Sequence, residues 1–400
     1  MPSEYGDEAT HSFRAVALFS NIGHTFTHLV TILFATAVLH LPSVFNVEYG
    51  ELLGLSSLGL VLYGVGALPA GWLGDRWSQV GMMAVFFVGV GSGSIIVGIA
   101  NDTTVLFIGL TLLGLFAAIY HPVGIAWLVA SARKQGMTLG INGVFGALGS
   151  GLAPVLVGVM IDAGSWRAAF VVPGVLAIVS GAVLVLAWKS GRVADVTADR
   201  VPTEPPGRDA VRRVFFVLTL TMACNGLVYS GLITTMPKLF ELGLGPDLVD
   251  SYTDIGLFVG AVIGSASIAS LLGGWLADRY SPRLIYIVFW FALVPPLFLI
   301  TWRFGITLVT LAFIAMLFIV AFAAAENMLV ARYTPFEWRA LAYGAKFVLA
   351  LGIGGLTVWL SGALFDASGN FHFLYQLFGA AALLGAFGAL LLPKRQTSLT

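Results

Sequence analysis

Charged residues are scarce in this sequence of 400 residues: they make up 10% of the chain, whereas soluble domains carry about 25%. Acidic and basic residues balance to a formal net charge of zero, so the chain offers no basic surface for nucleic acid. The single cysteine, Cys224, excludes an intrachain disulfide and a cysteine-based metal centre. No Gly-x-x-x-x-Gly-Lys-Ser/Thr loop is present, so direct use of ATP is not predicted, and we expect no cofactor and no metal.

Long apolar runs make up most of the sequence. Hydrophobic residues make up 58% of the chain and the mean hydropathy is +0.94. Apolar stretches of roughly 20 residues are long enough to span a bilayer as helices. We predict an all-α membrane protein of twelve transmembrane helices, which begin near Phe13, Leu52, Met82, Thr104, Met137, Trp166, Val214, Tyr252, Leu284, Ile306, Leu341 and Phe371.

One long polar stretch divides these spans into two sets of six. It contains Pro202, Pro205 and Pro206, and a segment of this composition is typical of a solvated linker. We therefore predict an N-terminal bundle over residues 1–189, a linker over 190–213 and a C-terminal bundle over 214–400.

The two halves repeat each other. Gly71-Trp72-Leu73-Gly74-Asp75-Arg76 closes the second span, and Gly274-Trp275-Leu276-Ala277-Asp278-Arg279 closes the eighth. A second pair of landmarks, ending in Asp162 and Asp366, recurs at a similar offset. Internal symmetry of this kind is a feature of transporter folds. Asp162 and Asp366 themselves are interpreted as solvated loop residues.

Lysine and arginine set the orientation. One set of helix ends carries most of them, whereas the opposite ends hold Arg167, Lys238 and Arg303. By the positive-inside rule, both termini and the linker lie in the cytoplasm, and we expect a multi-pass protein of the inner (plasma) membrane.

The repeated Gly-Trp-Leu-x-Asp-Arg segments resemble the loop motif of the major facilitator superfamily, although Ser78, Gln79 and Val80 replace its glycine and basic residues. The resemblance implies two pseudo-symmetric six-helix bundles. It also implies a gating role at the cytoplasmic helix ends for Asp75, Arg76, Asp278 and Arg279, through the N-termini of partner helices.

Two narrower resemblances concern the direction of transport. Gly140, Gly149 and Ala153-Pro154 resemble the glycine-proline motif of the superfamily's antiporters, although the arginine usual in the fourth helix of drug antiporters is missing. The segment from Gly23 to His28, together with Tyr120-His121-Pro122, is similar to the fosmidomycin-resistance branch, whose members export a small phosphonate.

The first helix carries a polar stripe. Its members recur at steps of three and four residues and therefore share one helix face: Asn21, His24, Thr25, His28 and Thr31. Protonated His24 and His28 would bind an anionic solute, and the alternative is that they hydrogen-bond neighbouring helices. His121, beside Pro122, is either a cavity residue or a support for the kink.

Further candidates lie in the second half. A carboxylate inside a span is costly, so Glu326 is predicted to couple protons or bind solute, beside Asn327 and with Lys346 as its partner. The alternative is that Glu326 forms a purely structural ion pair. Lys346 near a helix end alternatively reaches the interface. Asn225 and Tyr229 share a face of the seventh helix and offer neutral hydrogen bonds to a solute or to other helices.

Together these features predict a monomeric secondary transporter that exports a small anionic or amphipathic compound, with protons as the coupling ion. Proton-coupled uptake of an organic acid is the alternative. A membrane-embedded metalloenzyme using the histidines and Glu326 is a remote third hypothesis, because Thr25 occupies the glutamate position of His-Glu-x-x-His hydrolases.

Overall fold

The computed structural model describes residues 4–132, 134–196, 208–266, 268–333 and 348–393. The described residues are helical, with short connections and no strand among them. The spans of the first half are α1 Glu4–Ala37, α2 Tyr49–Val65 continued by Ala67–Arg76, α3 Gln79–Gly98, α4 Thr103–Ser131, α5 Gln135–Asp162 and α6 Ala168–Lys189. Those of the second half are α7 Arg208–Gly243, α8 Tyr252–Arg279, α9 Pro282–Trp302, α10 Gly305–Tyr333, α11 Val348–Ser368 and α12 His372–Leu390.

The predicted spans are confirmed as helices. Eleven helices among the described residues are long and apolar enough to cross a membrane, and α2, which bends by 41°, makes a twelfth. The predicted start of the eleventh span, Leu341, lies outside the described residues. The start of α2 moves from Leu52 to Tyr49, and such small differences arise because helix ends are set by caps rather than by hydropathy.

The two halves meet along a seam formed by two helix pairs. α5 packs against α8, and α2 packs against α11. Glycines bring the backbones together: a β-carbon on Gly50 would overlap the carbonyl of Gly362, and one on Gly158 would overlap that of Tyr252. Close backbone approach through small residues is how helices associate in lipid, where no hydrophobic force drives them together.

One face of the molecule, opposite the linker, is sealed by two aspartates that cross the seam; we call it the sealed face. The carboxylate of Asp366 accepts hydrogen bonds from the backbone N–H groups of Gly50 (2.7 Å) and Glu51 (3.0 Å) at the start of α2. In the same way, Asp162 accepts from the N–H groups of Tyr252 (3.2 Å) and Thr253 (2.7 Å). Each aspartate caps a helix of the other half.

This finding corrects the interpretation of Asp162 and Asp366 as solvated loop residues. Both are exposed, but they join the two halves. Rings add to the seal, since Tyr49 lies 5.0 Å from Phe365 across the seam. A carboxylate at a helix N-terminus satisfies orphan donors and favours the helix dipole.

The linker face carries the predicted gating residues. Asp75 and Asp278 are exposed there, and within the described part of the chain neither carboxylate makes a hydrogen bond or an ion pair. Their neighbouring arginines stack on tryptophans of their own helices. Arg76 lies 4.6 Å from the ring centre of Trp72, and Arg279 lies 3.9 Å from that of Trp275. Among the described residues, the hydrogen bonds that join the two halves therefore lie at the sealed face, and the gating role of the four residues stays a prediction.

Candidate functional site

Three histidines from two helices meet in the first half. His24 and His28 lie one turn apart on α1, and His121 comes from α4. The ring centroids are 5.0 Å apart for His24 and His28, 5.5 Å for His24 and His121, and 5.4 Å for the third pair. One ring nitrogen from each histidine lies within 4.8 Å of the other two. We call this group the histidine cluster.

The local backbone of α4 explains how His121 reaches the cluster. Residues Tyr120–Gly124 form a π-helical turn around Pro122, which cannot donate a backbone hydrogen bond. Such a turn changes the direction of the side chains that follow, and π-bulges are frequent at functional sites. The distortion predicted at Pro122 is therefore present as a π-helical turn, and whether His121 contacts a solute or supports this turn stays a prediction.

A residue that the sequence analysis missed, Asn142 of α5, ties the helices around the cluster together. Its backbone carbonyl accepts a hydrogen bond from Nδ1 of His24 at 2.7 Å. Its side-chain amide donates to Oδ1 of Asn21 and to the hydroxyl of Tyr120, both at 2.9 Å. Asn142 is 1% exposed. The sequence did contain a signal for Asn142, because a polar side chain within an apolar span requires an internal hydrogen-bond partner.

The polar stripe of α1 consequently serves two purposes. Asn21 bonds Asn142, and the hydroxyl of Thr25 donates to the carbonyl of Phe145 at 3.0 Å, so this part of the stripe joins α1 to α5. The ring of His28 makes no hydrogen bond within the described part of the chain and contacts the other two histidines. It is therefore a better candidate than the rest of the stripe for contact with a ligand.

Gly146 makes room for His24. A β-carbon at this position would lie 2.6 Å from Nε2 of the imidazole, closer than non-bonded atoms come. Gly143, less than one turn away on the same helix, has nothing within 4 Å of the equivalent point. The two glycines therefore form a matched pair for mutagenesis.

We expect Gly146→Ala to displace the His24 ring and to lower the free energy of unfolding by about 1–3 kcal/mol, the usual cost of overpacking. Gly143→Ala adds the same methyl group in open space and should leave stability unchanged. Thermal unfolding of the two detergent-purified variants measures the difference. Equal melting temperatures would show that His24 does not occupy this position.

Tyrosines extend the cluster toward the second half. Tyr63 of α2 is buried, and its ring lies 6.1 Å from that of His121. Tyr229 of α7 is partly buried and packs against the hydrophobic core. On the same face of α7, the side-chain oxygen of Asn225 is buried and accepts no hydrogen bond from the described residues. Asn225 and Tyr229 are thus available as neutral partners at the seam.

Glu326 lies in the second half, in an aromatic environment. It is fully buried on α10, and its Oε2 accepts a hydrogen bond from the hydroxyl of Tyr286 on α9 at 2.8 Å. Phe322, one turn away, stacks on Trp290 with ring centroids 4.7 Å apart. The structure therefore brings the three histidines together and places the carboxylate in a separate environment of the other half.

For the two remaining candidates, Asn327 and Lys346, the predicted roles stay predictions. Asn327 adjoins Glu326, but its side chain is exposed at the surface of α10. Lys346, the proposed partner of Glu326, lies outside the described residues, so their pairing stays a prediction.

A cavity of about 630 Å³ lies at the seam toward the linker face. It is bounded by α5, α8 and Ala324 of α10, and its lining is almost entirely apolar. The α5 residues that line it lie on a different helix face from Asn142 and Gly146, which point to α1. Among the described residues, hydrogen bonds therefore join the two halves at the sealed face, and an apolar cavity separates α5 from α8 toward the linker face.

The fold and the buried polar clusters define a helical membrane transport protein built from two related bundles. The sequence profile of the Major Facilitator Superfamily matches residues 21–345, and the chain belongs to that family.

Known relatives agree with this assignment. The chain is 25% identical over 256 residues to the probable sulfoacetate transporter SauU of Cupriavidus necator, and the match spans 57% of this chain and 57% of that protein. Two solved structures share the fold: a peptide transporter POT in complex with sulfate (TM-score 0.78, 14% identity, 96% of this chain and 94% of that chain) and a bacterial homologue of the human lysosomal transporter Spinster in an inward-facing, occupied conformation (TM-score 0.73, 15% identity, 95% and 94%).

The protein is accordingly a secondary transporter and not an enzyme, so the hypothesis of a membrane-embedded metalloenzyme is wrong. The resemblance to the superfamily is confirmed. The narrower resemblance to its fosmidomycin-resistance branch stays a hypothesis.

Proposed function

We propose that the protein is a proton-coupled carrier of a small organic anion of the sulfonate, phosphonate or carboxylate class. The observation that carries this proposal is the histidine cluster, which places several N–H donors beside the tyrosines of the seam. Hydrogen-bond donors buried within a span require an internal partner, and an anionic oxygen is a strong acceptor for them. The partial match to a probable sulfoacetate transporter supports the same substrate class.

The division of roles follows from where the groups lie. His28 and His121 would contact the anion from the first half, whereas Asn225 and Tyr229 would contact it from the second. Glu326, the buried carboxylate of α10, would carry the coupling proton. Asp75, Arg76, Asp278 and Arg279 would close the linker face in the opposite state of the cycle.

The proposed direction is export. We also propose that the carrier is a monomer of the inner membrane with both termini in the cytoplasm. Export is supported by the α5 motif, in which Gly149 packs against the backbone of Thr25 while Pro154 interrupts the helical hydrogen bonds. Uptake of an organic acid is the second candidate, because the sulfoacetate transporter indicates a substrate class but no direction.

Reconstitution into proteoliposomes under an imposed pH gradient tests the proposal. Sulfoacetate, small phosphonates and dicarboxylates are offered on either side, and we expect gradient-driven flux of at least one class. The sign of the gradient that drives accumulation distinguishes export from uptake. Absence of flux for all three classes would refute the proposed substrate class.

We expect His28→Ala and His121→Ala to weaken the apparent affinity for the transported anion by about tenfold, because each removes a charge-assisted hydrogen bond worth about 1.5–3 kcal/mol. His372→Ala is the matched control, since that histidine stacks on Trp302 at 4.2 Å and takes no part in the cluster. The concentration dependence of flux gives the three affinities. Unchanged affinity in both cluster variants would place the solute elsewhere.

A further inference from the structure

Within the described part of the chain, the histidine cluster is the group of metal-ligating side chains whose donor atoms come together. We propose that His24, His28 and His121 bind one divalent transition-metal ion of the Zn²⁺, Co²⁺ or Ni²⁺ type. This proposal departs from the sequence-based expectation of no metal, in which these histidines were considered as metal ligands only for the remote metalloenzyme hypothesis.

The spacing of the donors is close to that of a metal site. Tetrahedral zinc with Zn–N distances of about 2.0–2.1 Å holds its ligand nitrogens about 3.4 Å apart. The cluster nitrogens lie within 4.8 Å of one another, so a contraction of up to about 1.4 Å completes the site. His28 can supply this movement because no hydrogen bond within the described residues holds its ring.

The environment of His24 matches that of a ligating histidine. Its Nδ1 donates to the carbonyl of Asn142 at 2.7 Å, which leaves Nε2 with a lone pair for the metal. A ring N–H bonded to a backbone carbonyl or carboxylate is the usual support of a metal-bound imidazole, because it fixes the tautomer and the ring orientation. Gly146 and the stacked ring of Tyr120, 5.0 Å away, hold the same ring from two sides.

The donor set selects the class of ion. Within the described residues, the cluster consists of imidazoles, with no carboxylate or thiolate among its donors. Imidazole suits zinc, nickel, copper and cobalt, whereas magnesium and calcium require oxygen ligands. Three protein ligands also leave a fourth position for water or for a bound molecule.

The charge balance connects the metal to the transported solute, and this step rests on the proposed function. A divalent ion held by three neutral ligands keeps its full charge inside the membrane, where charge is costly. An anionic solute at the fourth position would compensate that charge. The metal would thus provide the positive charge for anion binding, and solutes with a sulfonate, phosphonate or carboxylate group suit that position.

Cobalt binding to the full-length purified protein tests the site without any transport measurement. We expect one Co²⁺ per chain and the intense visible absorption of tetrahedral cobalt, displaced by Zn²⁺. His28→Gln and His121→Gln should each lower the affinity by more than about tenfold. His372→Gln and His40→Gln, which alter histidines outside the cluster, should bind as the parent protein does.

A second pair of variants keeps the test informative if the glutamine variants fail to fold. Gly146→Ala leaves all three ligands in place but pushes against His24, and should also weaken cobalt binding, whereas Gly143→Ala should not. Absence of tetrahedral absorption in the parent protein, or equal affinity in parent and cluster variants, would overturn the site.

A chelator separates this inference from the proposed function. If cobalt binds as expected and flux of the anion stops when the metal is removed and returns when Zn²⁺ is added, the metal participates in solute binding. If cobalt binds but flux is indifferent to the chelator, the role in solute binding is refuted and the site stands. Flux without any cobalt binding would refute the site and leave the carrier function intact.

Discussion

Replacing Asp162 and Asp366 together with alanine is expected to open the sealed face and to shift the carrier toward its opposite conformation. Each carboxylate caps a helix of the other half, through N–H groups at the start of α8 and α2. Loss of a helix cap costs about 0.5–2 kcal/mol, so the double variant loses roughly 1–4 kcal/mol. That loss changes the ratio of the two conformations by about fivefold or more.

The distance between spin labels across the sealed face measures this shift. Suitable positions are Ser43 in the first half and Asp247 in the second, both exposed, in a background where Cys224 is replaced by serine. We expect the double variant to add a population at longer distance. The single Asp→Asn variants keep a side-chain acceptor and should lie between the two extremes.

Asp102→Ala provides a matched control. Asp102 lies on the same face and caps a helix in the same manner, accepting from the N–H of Val105 at 2.9 Å, but the helix belongs to its own half. Its loss should therefore leave the distance distribution unchanged. If the double variant behaves like Asp102→Ala, the aspartates do not hold the two halves together.

Glu326→Gln is expected to lower pH-gradient-driven flux by more than about tenfold, which corresponds to about 1.4 kcal/mol or more in the barrier. Glutamine preserves the shape of the side chain and an acceptor for Tyr286, but it cannot take up and release a proton. Solute exchange without a gradient should persist, because exchange requires binding and alternating access but no proton movement.

The comparison of gradient-driven flux with exchange in the same proteoliposomes gives this result. Glu48→Gln makes the same chemical change at an exposed position on the sealed face and should affect neither rate. Tyr286→Phe removes the hydroxyl that donates to Glu326 and should alter the pH dependence of flux while leaving solute affinity unchanged. Gradient-driven flux that survives in Glu326→Gln would assign proton coupling to another group.

Part of the candidate site could be predicted from the sequence. The polar stripe of α1 was visible from its spacing, and His121 from its place beside Pro122. That Asn21 and Thr25 bond α5, while His28 contacts His121, depends on how far α1 is rotated against its neighbours. Sequence spacing defines a helix face but not the helix that the face meets.

The two pairs of aspartates show most clearly what the sequence does not specify. The sequence showed Asp75 with Asp278, and Asp162 with Asp366, as two repeated pairs of equal standing. The structure distinguishes them, because among the described residues it is the second pair that accepts hydrogen bonds from helix ends of the other half. We expect the first pair to be engaged in the opposite conformational state, because a sequence encodes both states of a carrier.

The sequence by itself determined that the helices lie in a lipid bilayer, how many spans there are and that they repeat in two halves. It could do so because the hydrocarbon core imposes a length and a composition on each helix separately. Only the tertiary structure decided that three histidines form one cluster around Asn142, that Glu326 faces Tyr286, and that aspartates seal one face. These are contacts between helices distant in the chain, and they follow from crossing angles and backbone approach that no local pattern specifies.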